Sequence, residues 1–141
     1  MSILKFKVGR RGAGGKNAGY ITRESACDSI GFHNLDEIKG DSHYENRVNA
    51  LSYAHNREDE EMALSPRGRT HYRMILSWEE KEETDRAKAM THEFLEENFK
   101  DSRAIVAVHQ DTEHTHAHVW IDARNTDDRK LHSPKNHLSE L

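Results

Sequence analysis

Apolar and polar residues alternate at the start of the chain. Ile3, Leu4, Phe6 and Val8 are interleaved with Lys5 and Lys7, which predicts a strand over about residues 2–8. A glycine-rich basic loop, GRRGAGG, follows at 9–15, and NAGYITRESAC at 17–27 fits a short helix carrying Tyr20. Residues 28–44 are polar and rich in turn formers, including Gly31 and Gly40, and read as irregular. Val48, Leu51, His55, Met62 and Leu64 give an imperfect helical stripe from Glu45 to about Leu64. Within it, the run Glu58–Glu61 is expected on a solvated face or a fraying end, and Ser65-Pro66-Arg67-Gly68 breaks the pattern.

The second half is more regular. HYRMILS, His71–Ser77, reads as a strand, and Ser77 with Glu80 fits a capping box opening a helix. That helix places Ala87, Met90, Phe94 and Leu95 on one face. RAIVAVH, Arg103–His109, is a buried strand, Gln110–His114 a polar turn, and Thr115–Asp122 the second strand of an antiparallel hairpin. The tail LHSPKNHLSEL resembles the start of another element. This order predicts an α+β fold: a mainly antiparallel central sheet with helices packed on it, expected on one face.

A chain of 141 residues suits a single domain and leaves no room for a TIM barrel. No apolar run approaches the roughly 20 residues that span a bilayer, so no membrane association is expected. MSILKFKVGRR alternates instead of forming an apolar block, so no secretory leader is expected and the cytoplasm is the expected compartment. One cysteine, Cys27, excludes an internal disulfide and a multi-cysteine zinc site. The net charge of −4 argues against a nucleic-acid partner until it is divided along the chain. Residues 1–25 hold six Lys/Arg against one Glu, and residues 66–77 hold three Arg and no acid, so DNA or RNA stays open. The loop at 9–15 fails as a nucleotide-phosphate loop, because Arg10 and Asn17 stand where Gly and Ser/Thr are required.

Histidine is the unusual residue, 11 of 141, and it concentrates in HQDTEHTHAHVWID, residues 109–122. On a strand Ala117, Val119 and Ile121 point to one face, and His116, His118 and Trp120 to the other. Two imidazoles side by side can reach one cation, and the hairpin brings His109 alongside them. Three neutral imidazoles on a rigid sheet leave coordination positions open, as a catalytic metal requires. His114 shares the parity of His116 and is the alternative third ligand; Asp111 can orient a ligand by accepting its other N–H. Tyr20, beside Lys16 and Arg23, is a candidate nucleophile if positive charge or a base activates it. Tyr44, Tyr53 and Tyr72 are its rivals, and each tyrosine also fits an ordinary packing role.

The tyrosine in YITRE, the strand HYRMILS ending in Ser with an acidic helix after it, and the HQDTEHTHAHVWID hairpin occur in this order over roughly residues 1–125. The chain resembles the nicking domain of plasmid mobilisation relaxases, members of the His-hydrophobe-His single-strand endonucleases. Their third motif, H-x-D-x-x-x-x-H-x-H, matches at His109, Asp111, His116 and His118, although Ala117 is smaller than the usual residue between the histidines. The tyrosine precedes the histidine pair, as in relaxases and not in replication initiators. The resemblance implies one nicking domain over residues 1–141, shorter than its relatives, by truncation or as a short homologue. It implies transesterification on single-stranded DNA at a transfer origin, with Tyr20 forming a 5′-phosphotyrosyl intermediate. His109, His116 and His118 would hold one divalent ion, Mn²⁺ or Mg²⁺ by family and Zn²⁺ or Ni²⁺ by ligand chemistry. Asp111 would orient a histidine, or accept the phenolic proton. Ser77 matches the family's second motif and is expected either to contact DNA or only to cap its helix. Arg10, Arg11, Lys16, Arg23, Arg67, Arg69 and Arg73 are candidates for backbone phosphates, and Trp120 for stacking on a base or packing at the rim. A monomer assisted by accessory DNA-binding proteins is expected. The rival readings are a metal-dependent hydrolase in which water attacks, and a non-catalytic DNA- or metal-binding module.

Overall fold

The computed structural model describes residues 1–131, so the expected element in the LHSPKNHLSEL tail lies almost wholly outside the described residues. The elements are β1 (Ser2–Val8), α1 (Gly14–Ile21), β2 (Cys27–His33), a short 3-10 turn (Asp36–Ile38), α2 (His43–Leu64), β3 (His71–Ser77), α3 (Thr84–Asn98), β4 (Ser102–His109) and β5 (His116–Asn125). The five strands form one sheet in the order β1-β3-β5-β4-β2, antiparallel at every pairing. The expected α+β architecture is present.

The helices cover both faces, not one. On the α3 side, Tyr72, Met74 and Leu76 of β3, Val106 and Val108 of β4, and Ala117, Val119 and Ile121 of β5 pack with Ala87, Phe94 and Leu95. On the other side, Ile105, Ala107 and Trp120 pack with Ala18 and Ile21 of α1, Ala50 and Ala54 of α2, and Ile30 and Phe32 of β2. Strands alternate their side chains, so a sheet with apolar residues at both parities must be covered twice.

Three local expectations fail for identifiable reasons. Residues 27–33 are an edge strand and not an irregular segment. Gly31 is not there for a turn: a Cβ at this position would lie 2.4 Å from His92 Nε2, so the glycine lets α3 approach the strand backbone. Ser77 does not cap a helix. Trp78 N donates to Thr115 O at 3.1 Å, which carries the chain past Ser77 in extended form, and α3 begins only at Thr84. Glu58 and Glu61 are buried and not solvated. Arg124 Nε lies 2.5 Å and Lys130 Nζ 3.1 Å from the Glu61 carboxylate, while Glu58 accepts the Gly12 N–H just ahead of α1. Their partners lie more than 40 residues away along the chain, beyond any local pattern.

Candidate active site

The sheet register assembles the site. His116 of β5 lies opposite His109 of β4 on one side and Ser77 of β3 on the other. His118 lies opposite Ile75, and its ring centroid is 4.2 Å from that of His109. Strand parity puts all three histidines on the α1/α2 face. Burial lowers the pKa of each ring below the ordinary histidine value. At His118, burial first, then His109 and His116, bring it down to about 3. At neutral pH the rings are therefore uncharged, with lone pairs free to ligate.

His109 Nε2 lies 2.6 Å from the carbonyl of Ile21, the last residue of α1. A carbonyl only accepts, so Nε2 carries the proton and the lone pair of the neutral ring sits on Nδ1. The same helix is tied at its other end by Trp120 Nε1, which donates to Gly14 O at 3.0 Å. In the middle, Asn17 Nδ2 lies 2.8 Å from His71 Nε2. Tyr20 thus projects from a helix docked on the histidine strands, one residue from the carbonyl that holds His109. It is 55% exposed, which leaves its phenol open to a ligand. Arg23 lies over its ring at 4.1 Å and donates to its carbonyl at 2.8 Å. Of the rival tyrosines, Tyr53 donates its hydroxyl to Asp122 and Tyr72 to Leu131 O, so both are engaged in packing. Tyr44 is exposed in the first turn of α2.

Other expected site residues are placed differently. Asp111 is exposed in the β4–β5 loop and raises the pKa of His109 and His116 by its charge, but Ile21 O, not Asp111, orients His109. His114 lies in the same loop with Nδ1 3.2 Å from Trp78 O, off the strand that carries the other rings. Trp120 is 1% exposed and packs edge-on to Tyr53 and flat on His71, so it stacks on protein and not on a base. Arg11 donates to the carbonyls of Met62, Ser65 and Gly68 and so caps the C-terminus of α2 instead of facing DNA. Arg69 donates to Leu131 O at 3.3 Å. Arg67 and Arg69 precede β3, roughly 20 Å of strand from Ser77. Arg10 and Lys16 are exposed in the β1–α1 loop and on α1. Arg23 and Arg73 are the expected cations whose charge reaches His118.

The alternation of β1 carried a signal that composition alone hides. Phe6 packs toward α3, so Lys5 and Lys7 face the histidine side, opposite Ile75 and Arg73. Lys5 and Arg73 line a small depression with Asn17, Ile21, Ile75 and His118.

Three neutral imidazoles on one face are a suitable donor set for a divalent transition ion. In the rotamers present, no group of three or more His, Cys, Asp or Glu side chains among the described residues is gathered to hold one. His109 turns one nitrogen to Ile21, and His116 Nδ1 lies 3.3 Å from Thr112 Oγ1. The set fits by chemistry and by the register that places His116 opposite His109 and two residues from His118. Among the described residues no helix is long and apolar enough to cross a membrane.

The family model for the relaxase MobA/VirD2-like nuclease domain matches residues 20–141, beginning at Tyr20. No curated protein matches the chain. The match covers most of the sequence and takes in β2 through β5, the strands that carry the histidines and Ser77. The chain therefore belongs to the MobA/VirD2-like relaxases, whose nuclease domain nicks single-stranded DNA in mobilisation.

Proposed function

We propose that the chain cleaves and rejoins single-stranded DNA at a transfer origin through Tyr20. The hydrogen bond between His109 and the last carbonyl of α1 carries this reading, because it ties the tyrosine helix to the histidine cluster. The Tyr20 oxygen attacks phosphorus, and the bond from phosphorus to the 3′ oxygen breaks. The phenol releases its proton to water, which reaches it through its exposed edge, and the departing oxygen takes one up as a free 3′-hydroxyl. One phosphodiester replaces another, so the step runs backward with a similar barrier and the strand can be resealed. Arg23 lies beside both the phenol ring and the helix end, where its charge favours a phosphate and a phenolate together.

His109, His116 and His118 would hold a divalent ion, Mn²⁺ or Mg²⁺ by family relationship and Zn²⁺ or Ni²⁺ by ligand type. Bound there, the ion would supply Lewis-acid stabilisation of the charge on the non-bridging phosphate oxygens. Asp111 adds a negative charge that favours the cationic centre, and Ser77, opposite His116, lines its edge.

The test is covalent capture. The protein is incubated with Mn²⁺ and a randomised pool of labelled single-stranded DNA, denatured, and digested for mass spectrometry. A nucleotide-bearing peptide containing Tyr20, lost in Tyr20→Phe, in His116→Ala and with chelator, is the expected result. Cleavage that survives Tyr20→Phe would establish attack by water, the hydrolase reading. Binding of metal or DNA with no cleavage under any condition would leave a binding module.

A further inference from the structure

We propose that Lys5 and Lys7 of β1, with Arg73 of β3, form a phosphate-binding strip that carries the backbone of the single strand across the sheet to His118. The proposal rests on the single-strand nicking reading and adds residues that the reaction itself does not name. The register places Lys5, Ile75 and His118 in one row across three strands, and Lys7, Arg73 and Trp120 in the next. Neighbouring strands lie about 4.8 Å apart, so Lys5 stands about 10 Å from His118 across the sheet. Along β1, residues two apart repeat at about 7 Å on one face, near the stride between successive phosphates of an extended strand.

Three features argue for an anion here. First, both lysines are exposed, and among the described residues no ion pair engages either lysine or Arg73. Second, the mutual proximity of Lys5, Lys7 and Arg73 lowers the Lys7 pKa, and no carboxylate contributes to that balance. Like charges held together without a counter-ion are relieved by a polyanion. Third, the strip is continuous with the chemistry, because Lys5 and Arg73 share their depression with His118 and with Asn17 and Ile21 of the tyrosine helix. Helix α1 covers Trp120, while Lys5 and Lys7 on the edge strand β1 stay exposed, so a strand reaching the histidines from the β1 edge passes over these cations.

Neutralising phosphates releases counter-ions, so each lost contact to a single strand lowers the salt slope of log K by about 0.7. The probe is a fluorescein-labelled thymidine homopolymer, titrated across a KCl series against the wild type and Lys5→Gln/Lys7→Gln. The double variant should lower the slope by about 1.4 and weaken binding roughly tenfold at low salt. Lys5→Arg/Lys7→Arg should keep the wild-type slope. Lys88→Gln/Lys100→Gln, which removes the same charge on the α3 side, should leave it nearly unchanged. An unaltered slope in Lys5→Gln/Lys7→Gln overturns the strip while leaving the nicking reading intact. Equal losses in the two double glutamine variants also overturn it, since net charge alone would then explain binding. Failure of the wild type to bind the single strand at any salt, with no Tyr20 adduct, would instead overturn the reading beneath it.

Discussion

His71 makes stability depend on pH in a way that can be isolated. Its ring is fully buried and stacked on Trp120 at 5.4 Å, and Nε2 accepts from Asn17 while Nδ1 lies 2.9 Å from Thr70 Oγ1. Burial, reinforced by Arg73 and opposed by Asp122, brings its pKa down from 6.5 to about 4. The unfolded ring takes up its proton near pH 6.5 and the folded ring near pH 4, so between them the unfolded state binds more protons. The contribution is fully present above pH 6.5 and is lost as pH falls. From this shift the loss is about 2 kcal/mol at pH 5 and about 3 kcal/mol by pH 4. Urea unfolding of metal-free wild type and His71→Gln over pH 4–7 measures it. A constant offset reports lost packing, while the difference between the proteins should shrink by about 2 kcal/mol from pH 7 to 5. Glu58 Oε2 lies 3.7 Å from Nδ1, near enough to pair with the ring if it were protonated in the fold. A difference that does not change with pH would show that the folded ring takes up its proton as readily as the unfolded one, and a difference that grows as pH falls would show it charged and paired with Glu58; either would refute the reasoning.

Three further outcomes follow from the packing around α1 and β5. Asp122→Ala should destabilise by about 3–5 kcal/mol in urea unfolding, because it strands Arg57 Nε, now 2.8 Å from the carboxylate, and the Tyr53 hydroxyl. A loss below about 1 kcal/mol would mean that the pair is not holding α2 to the sheet. Trp120→Phe keeps an aromatic ring against His71 but removes the donor to Gly14 O, and should lower stability by about 1 kcal/mol. If that bond positions α1, covalent capture on Tyr20 should fall more steeply than affinity for single-stranded DNA; equal losses would argue otherwise. Gly9→Ala would set a Cβ 2.0 Å from His71 Nε2, in a ring held on both nitrogens, and should cost about 1–3 kcal/mol by calorimetry. An unchanged melting temperature would show that the ring moves aside freely.

Much of this protein was legible in one dimension because its information is local. The alternation in β1 and β5, the helical stripe of α2 and the spacing of His109, His116 and His118 follow from the repeats of strand and helix, which any sequence carries on its face. Their order also pointed to the family that the match from Tyr20 onward shows. Other features depended on partners remote in the chain. CDSIGFH became strand β2 because β4 offered a ladder and His92 needed the space above Gly31. Glu58 and Glu61 went inside because Gly12, Arg124 and Lys130 met them there. Arg11 turned to the end of α2, and Trp120 lay under α1 and not under a base. The sequence by itself determined the periodic elements and the types of side chain available for chemistry. The tertiary structure alone decided which charges were neutralised at home and which, Lys5, Lys7 and Arg73, were left facing the histidines, because electrostatic pairing depends on distance in space and not along the chain.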